Sequence, residues 1–127
     1  MENKHSILVV DDDHHFRETL TDALGLKAFN VSAAESGSVA LKALEESTPS
    51  LILLDVQLPD MHGFELCRML KKSTRLKNIP IVFLSAKYVE PADRAEGLLA
   101  GADAYLSKPL NLDALWDEVH YLLDKAS

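Results

Sequence analysis

Leu51-Ile52-Leu53-Leu54-Asp55 is an unbroken apolar run closed by a carboxylate. A run with no polar face suits a strand buried on both sides, as in a parallel sheet covered by helices above and below. Three other segments have the same form. Ile7-Leu8-Val9-Val10 leads into Asp11-Asp12-Asp13, Ile81-Val82-Phe83-Leu84 into Ser85, and Ala104-Tyr105-Leu106 shortly precedes Lys108-Pro109. If each run is a parallel strand, the acids, the hydroxyl and the lysine all gather at one edge of a single sheet. Doubly wound sheets bind their ligands beyond the carboxyl ends of the strands, near the point where strand order reverses.

Working outward, strand-like runs alternate with helical patterns five times, without a repeat, a low-complexity stretch or a flexible linker. That alternation predicts one α/β domain spanning 1–127. The strands are expected near residues 6–10 (β1), 30–34 (β2), 51–55 (β3), 80–85 (β4) and 104–107 (β5). β2 is short and only partly apolar, which an edge position would explain. Phe16, Leu20, Ala23 and Leu24 recur at helical spacing after β1, and Leu112, Leu115, Val119 and Leu122 do so after β5, so each connection is expected to be a helix with one buried face. Pro91 and Gly101 bracket a fourth helix (α4), and Asn111 is placed to cap a fifth (α5) over residues 112–125.

At 127 residues the chain is long enough to bury a core without a disulfide or a metal staple. Its net charge of −7 disfavours unassisted binding to nucleic acid or to an anionic membrane, since phosphate contacts need clustered Lys and Arg. Lys71, Lys72, Arg75 and Lys77 do cluster, and a solvated helix end accounts for them. The start, Met1 to Ser6, does not read as a basic leader, and the apolar runs are too short to span a bilayer, so a cytoplasmic protein is expected. Cys67 lies on the apolar side of a helical pattern with Phe64 and Leu70, which predicts a core thiol.

The chemistry of the sheet edge points to phosphoryl transfer. Asp55 would emerge from an apolar floor, placed to attack a phosphorus atom and form an aspartyl phosphate. Attack by an anion on a phosphoryl dianion needs positive charge nearby, and Asp11 and Asp12 supply the hard oxygen ligands that would hold Mg²⁺ beside Asp55. Ser85 could donate to one phosphoryl oxygen and Lys108 could pair with another. A cis Lys108-Pro109 bond would aim the ammonium back into the cleft. Singly, each residue has a plainer role: Asp13 caps a helix, Asp55 starts a turn, Ser85 caps, Lys108 is a solvated charge and Tyr105 packs. Their joint occurrence at successive strand ends is what those plainer roles leave unexplained.

Over essentially its whole length the sequence resembles the receiver domain of two-component response regulators, and single-domain chemotaxis-type receivers in particular. The segments that carry the resemblance are Ile7 to Asp13, Leu53 to Glu65, Ser85-Ala86 and Gly101 to Pro109. It implies a flavodoxin-like doubly wound sheet of five parallel strands, order 2-1-3-4-5, with five helices. Asp55 would be the phosphoacceptor, supplied by a phosphohistidine on a histidine kinase or histidine phosphotransfer protein. Asp12, Asp55 and the Gln57 main-chain carbonyl would be direct Mg²⁺ ligands, with Asp11 completing the acidic pair. Ser85 and Tyr105 would form a switch pair, Lys108 would hold a phosphoryl oxygen, and the α4-β5-α5 face would change to engage an output domain or protein. Such a chain catalyses only its own phosphorylation and dephosphorylation.

Departures from the family pattern are few. Ser85 stands where the family has Thr or Ser, and His62 stands where it often has Asp, which reads here as a loop residue. Gln57 and Lys87, two positions beyond Asp55 and Ser85, should overhang the phosphoryl group, with Lys87 slowing hydrolysis by crowding the water's approach. Asp117-Glu118 falls in the last helix where transcription-factor regulators carry dimer-forming arginines, so that dimer mode is not expected. The chain ends soon after this helix, consistent with a stand-alone receiver or with a receiver placed first in a longer protein. Three rivals differ at identifiable residues. A haloacid-dehalogenase-type phosphatase needs a second acid where Gln57 lies, and a flavodoxin-type electron carrier wants a hydroxyl- and glycine-rich loop after β1 rather than three acids. An inactive docking receiver would have lost part of the acid, hydroxyl and lysine set.

Overall fold

The computed structural model describes residues 5–126, with side chains through Lys125. Ten elements alternate along the chain: β1 Ser6–Val10, α1 His14–Leu26, β2 Asn30–Ala34, α2 Gly37–Glu46, β3 Leu51–Asp55, α3 Gly63–Lys72, β4 Ile81–Ser85, α4 Pro91–Leu99, β5 Ala104–Ser107 and α5 Leu112–Ala126. The strands form one parallel sheet in the order β2-β1-β3-β4-β5, the flavodoxin-like arrangement. β2 is at an edge, and of its five residues only Ala34 is buried. β4 begins one residue later than expected because Pro80 has no N–H for the ladder, although its carbonyl still accepts from Ile52 N at 2.9 Å.

Side-chain alternation divides the core into two. Ile7, Val9, Leu51, Leu53, Val82 and Leu84 face α1 and α5, where Leu20, Leu24, Leu115 and Val119 close over them. Leu8, Val10, Ile52, Leu54, Ile81 and Phe83 face the other way, against Ala40, Leu44, Phe64, Leu66, Cys67 and Tyr105. Cys67 is fully buried, and its thiol donates to the Ala100 carbonyl at 3.5 Å. Leu112 departs from the expected buried stripe. It is 45% exposed and lines an open groove with Phe16, Leu20 and Ala23.

The helix ends explain much of the polar sequence. Asp13 caps α1 by accepting from Phe16 N at 3.1 Å, and Asn111 caps α5 by accepting from Ala114 N at 3.0 Å. Pro91 opens α4, and Gly101 follows its end with φ of 115°, a left-handed conformation that favours glycine. The basic cluster near α3 is more than a solvated helix end. Lys71 Nζ donates to Ile79 O at 2.9 Å and lies 3.7 Å from Asp103, while Arg75 donates to Thr48 Oγ1 at 3.0 Å and to Leu44 O. These two cations tie the approach to β4 onto neighbouring elements.

Candidate functional site

The register brings the polar strand ends together. Val10 lies opposite Leu54, Asp55 opposite Leu84 and Ser85 opposite Ser107, so Asp11, Asp12, Asp55, Ser85 and Lys108 emerge at the same carboxyl edge. All but the buried Asp11 line a cleft of about 270 Å³, together with Gln57, Lys87 and Tyr88. Gln57 and Lys87 line the same cleft as Asp55 and Ser85.

Asp11 is buried, Asp55 partly buried and Asp12 exposed, and one carboxylate oxygen of each lies within 4.8 Å of the others. Asp11 is held from two sides, by Asp13 N donating to Oδ1 at 2.9 Å and by Lys108 Nζ at 2.7 Å from Oδ2. Burial pushes the Asp55 carboxyl up to about 6, the Asp11 charge adds to that rise, and Lys108 opposes it. Three oxygen-bearing acids with one cation among them leave negative charge uncompensated. That donor set fits a hard divalent ion such as Mg²⁺, which binds few carboxylates and keeps several waters. The Lys108-Pro109 bond is cis.

Ser85 is buried, and its Oγ accepts from Tyr88 N at 2.9 Å, while its own proton can be donated, the Tyr105 hydroxyl lying near enough to accept it. Tyr105 lies inward, only 6% exposed, with its ring 5.8 Å from that of Phe83 and its hydroxyl donating to the Tyr88 carbonyl. Burial raises the Tyr105 hydroxyl above its ordinary range, and the nearby Ser85 hydroxyl works against the rise. Gly97 makes the inward position possible, since a Cβ there would meet the Tyr105 ring at 2.9 Å. Arg94 covers the ring from outside, donating to Tyr105 O at 3.0 Å and to Ser107 Oγ at 2.9 Å.

Several residues around the cleft escaped the sequence reading. Tyr88 joins Ser85 to Tyr105 through its own N–H and carbonyl, and its ring packs edge-on against His62 at 5.5 Å. His62, a loop residue as expected, has a further part to play. It caps α3, its Nδ1 accepting from Phe64 N at 3.2 Å. Asp60 reaches from the same segment to α2, accepting from Gly37 N and Ser38 N at 2.9 Å each, and those amides hold its carboxyl below the usual range. Gly63 is pressed so closely against the backbone at the end of β3 that a Cβ would collide with Asp55 O and come within 2.8 Å of Val56 O just beyond it. The glycine that opens α3 therefore serves a close approach to the strand it follows.

Residues 7–120 match the family described as the response regulator receiver domain. The chain is 44% identical over 124 residues to the transcriptional regulatory protein GltR of Pseudomonas aeruginosa, covering 98% of this chain and 51% of that protein. It superposes on the signal receiver domain of a signal transduction histidine kinase from Syntrophus aciditrophicus with a TM-score of 0.87 and 32% identity, covering 95% of this chain and 91% of that one. A CheY-like response regulator receiver domain protein from Methanospirillum hungatei gives a TM-score of 0.89 and 29% identity, covering 98% and 97%. The chain spans about half the length of curated response regulators that it matches. Among the described residues no helix is long and apolar enough to cross a membrane.

Proposed function

The chain belongs to the response regulator receiver family of two-component systems, and from that membership we propose that Asp55 is its phosphoacceptor, charged by a phosphohistidine on a histidine kinase or histidine phosphotransfer protein. An Asp55 carboxylate oxygen attacks phosphorus, the P–N bond of the donor breaks, and the departing imidazole nitrogen takes up a proton. Asp55 is ionised at neutral pH, yet its charge is poorly solvated, which raises its readiness to share electrons. Mg²⁺, held by Asp12, Asp55 and the Gln57 main-chain carbonyl with Asp11 behind them, would neutralise charge on the phosphoryl oxygens. Lys108 turns from Asp11 to one phosphoryl oxygen, and the Ser85 hydroxyl, with its acceptor side occupied by Tyr88 N, donates to another.

The output follows from the neighbours of Ser85. Drawing Ser85 toward the phosphoryl group favours the inward Tyr105, whose ring, Gly97 slot and Arg94 cover all belong to α4 and β5. The α4-β5-α5 face then binds an output domain or protein, with no direct contact to nucleic acid or membrane. Residues 1–127 act as one receiver in the cytoplasm, catalysing only their own phosphorylation and dephosphorylation. The observation that carries this reading is the cluster of Asp11, Asp12 and Asp55 at the cleft with the Lys108 ammonium against it. Intact mass after incubation with acetyl phosphate tests it. A single Mg²⁺-dependent phosphoryl adduct is expected for the wild type and none for Asp55→Asn. No adduct with acetyl phosphate or with a phosphohistidine donor would mark a docking module that has lost the chemistry.

A further inference from the structure

The Lys108 ammonium has a second partner that its role toward a phosphoryl group does not require. It sits 4.1 Å from the centroid of the Phe16 ring while Asp11 Oδ2 holds it from another side at 2.7 Å. Its side chain is only 16% exposed, so water supplies little of its solvation. Beyond the ring lies a largely apolar groove walled by Leu20, Ala23, Pro109 and Leu112, which gives an ammonium few polar partners on that side.

The ring and the carboxylate come from one short segment that is itself fixed. Asp13 N donates to Asp11 Oδ1 at 2.9 Å, the Asp13 side chain accepts from Phe16 N at 3.1 Å, and Arg17 Nη1 donates to Asp11 O at 2.8 Å. Residues 11–17 therefore form a cradle with an anionic wall and an aromatic wall. The two walls differ in directionality. A carboxylate binds an N–H along a defined line, whereas a ring face attracts a cation over a broad area.

We propose that Phe16 is a positioning residue for phosphoryl transfer, its ring face holding the Lys108 ammonium at the cleft wall while the ammonium exchanges Asp11 for an oxygen of a tetrahedral dianion on Asp55. Without the ring, an ammonium released by Asp11 turns outward to bulk water, and the fraction correctly placed falls. The proposal rests on the phosphoacceptor reading of Asp55, and Phe16 touches neither phosphorus nor metal in it.

Two variants test it, Phe16→Leu, which keeps apolar bulk and removes the π face, and Phe16→Tyr, which keeps the ring. In the full chain, the Lys108 Cε protons are expected at high field in the wild type and in Phe16→Tyr, and to return toward ordinary lysine values in Phe16→Leu. The rate constant for phosphorylation by acetyl phosphate, and the affinity for beryllofluoride with Mg²⁺, should fall about three- to tenfold in Phe16→Leu and recover in Phe16→Tyr. Circular dichroism melts confirm that both variants fold. Equal rates and affinities in wild type and Phe16→Leu overturn the proposal, and so does equal loss in both variants, which would mark a purely steric role. A wild type that takes up neither phosphoryl group nor beryllofluoride overturns the phosphoacceptor reading instead, and the Cε shifts then still decide whether the ring holds the ammonium.

Discussion

The two faces of the sheet are built from different material. Toward α1 and α5, interlocked branched aliphatics from β1, β3 and β4 meet Leu20, Leu24, Leu115 and Val119. Toward α2, α3 and α4, a chain of rings runs from His62 to Phe64 at 4.7 Å, from Phe64 to Phe83 at 5.1 Å, and on to Tyr105 at 5.8 Å. Close-packed aliphatics have one good arrangement, and any shift opens voids. A planar ring in a slot over a glycine, with a hydroxyl that needs an acceptor, has discrete alternatives. On the proposed reading, the chemistry is anchored from the first face, through Phe16 and the Asp11 cradle, and its consequence is registered on the second. Such a division would suit the proposed mechanism, in which the Asp55 carboxylate stays in place while the α4-β5-α5 face changes.

If the first face is the rigid one, Leu53→Ala, at a position with no exposure, should cost about 2–5 kcal/mol in urea titration while leaving the Tyr105 ring resonances in place. A Tyr105 shift as large as the one caused by a change on the second face would dissolve the distinction.

Next in size is the cleft that joins the two faces. The folded chain raises the Asp55 carboxyl from 3.8 to about 6, so it binds a proton more tightly than the unfolded chain does. The penalty for the charge is therefore absent below about pH 4, grows as pH rises through the interval between 3.8 and 6, and is complete above about 6. That interval corresponds to somewhat under 3 kcal/mol, and partial exposure of Asp55 reduces this to about 2 kcal/mol. Asp55→Asn should accordingly be more stable than the wild type by about that amount at pH 7 and indistinguishable from it near pH 4, measured by urea melts without Mg²⁺.

Gly97→Ala tests the second face. Its methyl, 2.9 Å from the Tyr105 ring, should cost about 1–2 kcal/mol and drive the ring outward, read by loss of the ring-current shifts on Phe64 and Phe83. Tyr105→Phe removes only the hydroxyl donated to Tyr88, an effect of about 1 kcal/mol. The smallest change falls on Lys87, which is exposed and lines the cleft. Lys87→Ala should leave stability unchanged and speed loss of the phosphoryl group about threefold, a change of under 1 kcal/mol in barrier. An unaltered dephosphorylation rate would remove Lys87 from the control of the water.

The division between the faces also explains what could be read from the sequence. The strands fall within a residue of their expected positions because a doubly buried strand leaves a continuous apolar run, and the site follows because each run ends in a chemically distinctive residue. The second face was legible only in part. Asp60 caps α2 from 22 and 23 residues away, and Arg94 reaches β5 across 11 and 13, contacts with no local spacing rule to betray them. Gly97 did carry a signal, since a glycine inside a helical pattern points to a close neighbour, although the pattern does not name Tyr105. Leu112 misled because helical periodicity continues into the first turn of α5 without marking where burial begins.

The lone thiol on the second face gives the molecule a built-in clock. Cys67 is the single cysteine of the chain, fully enclosed, and burial pushes it up to about 11. A thiol reagent therefore reaches it only through excursions that separate α3 from the sheet, and the slowing of alkylation relative to an unhindered cysteine is the protection factor of that single opening. Read at one sulfur atom, with and without a group on Asp55, that factor reports how tightly signalling clamps this layer.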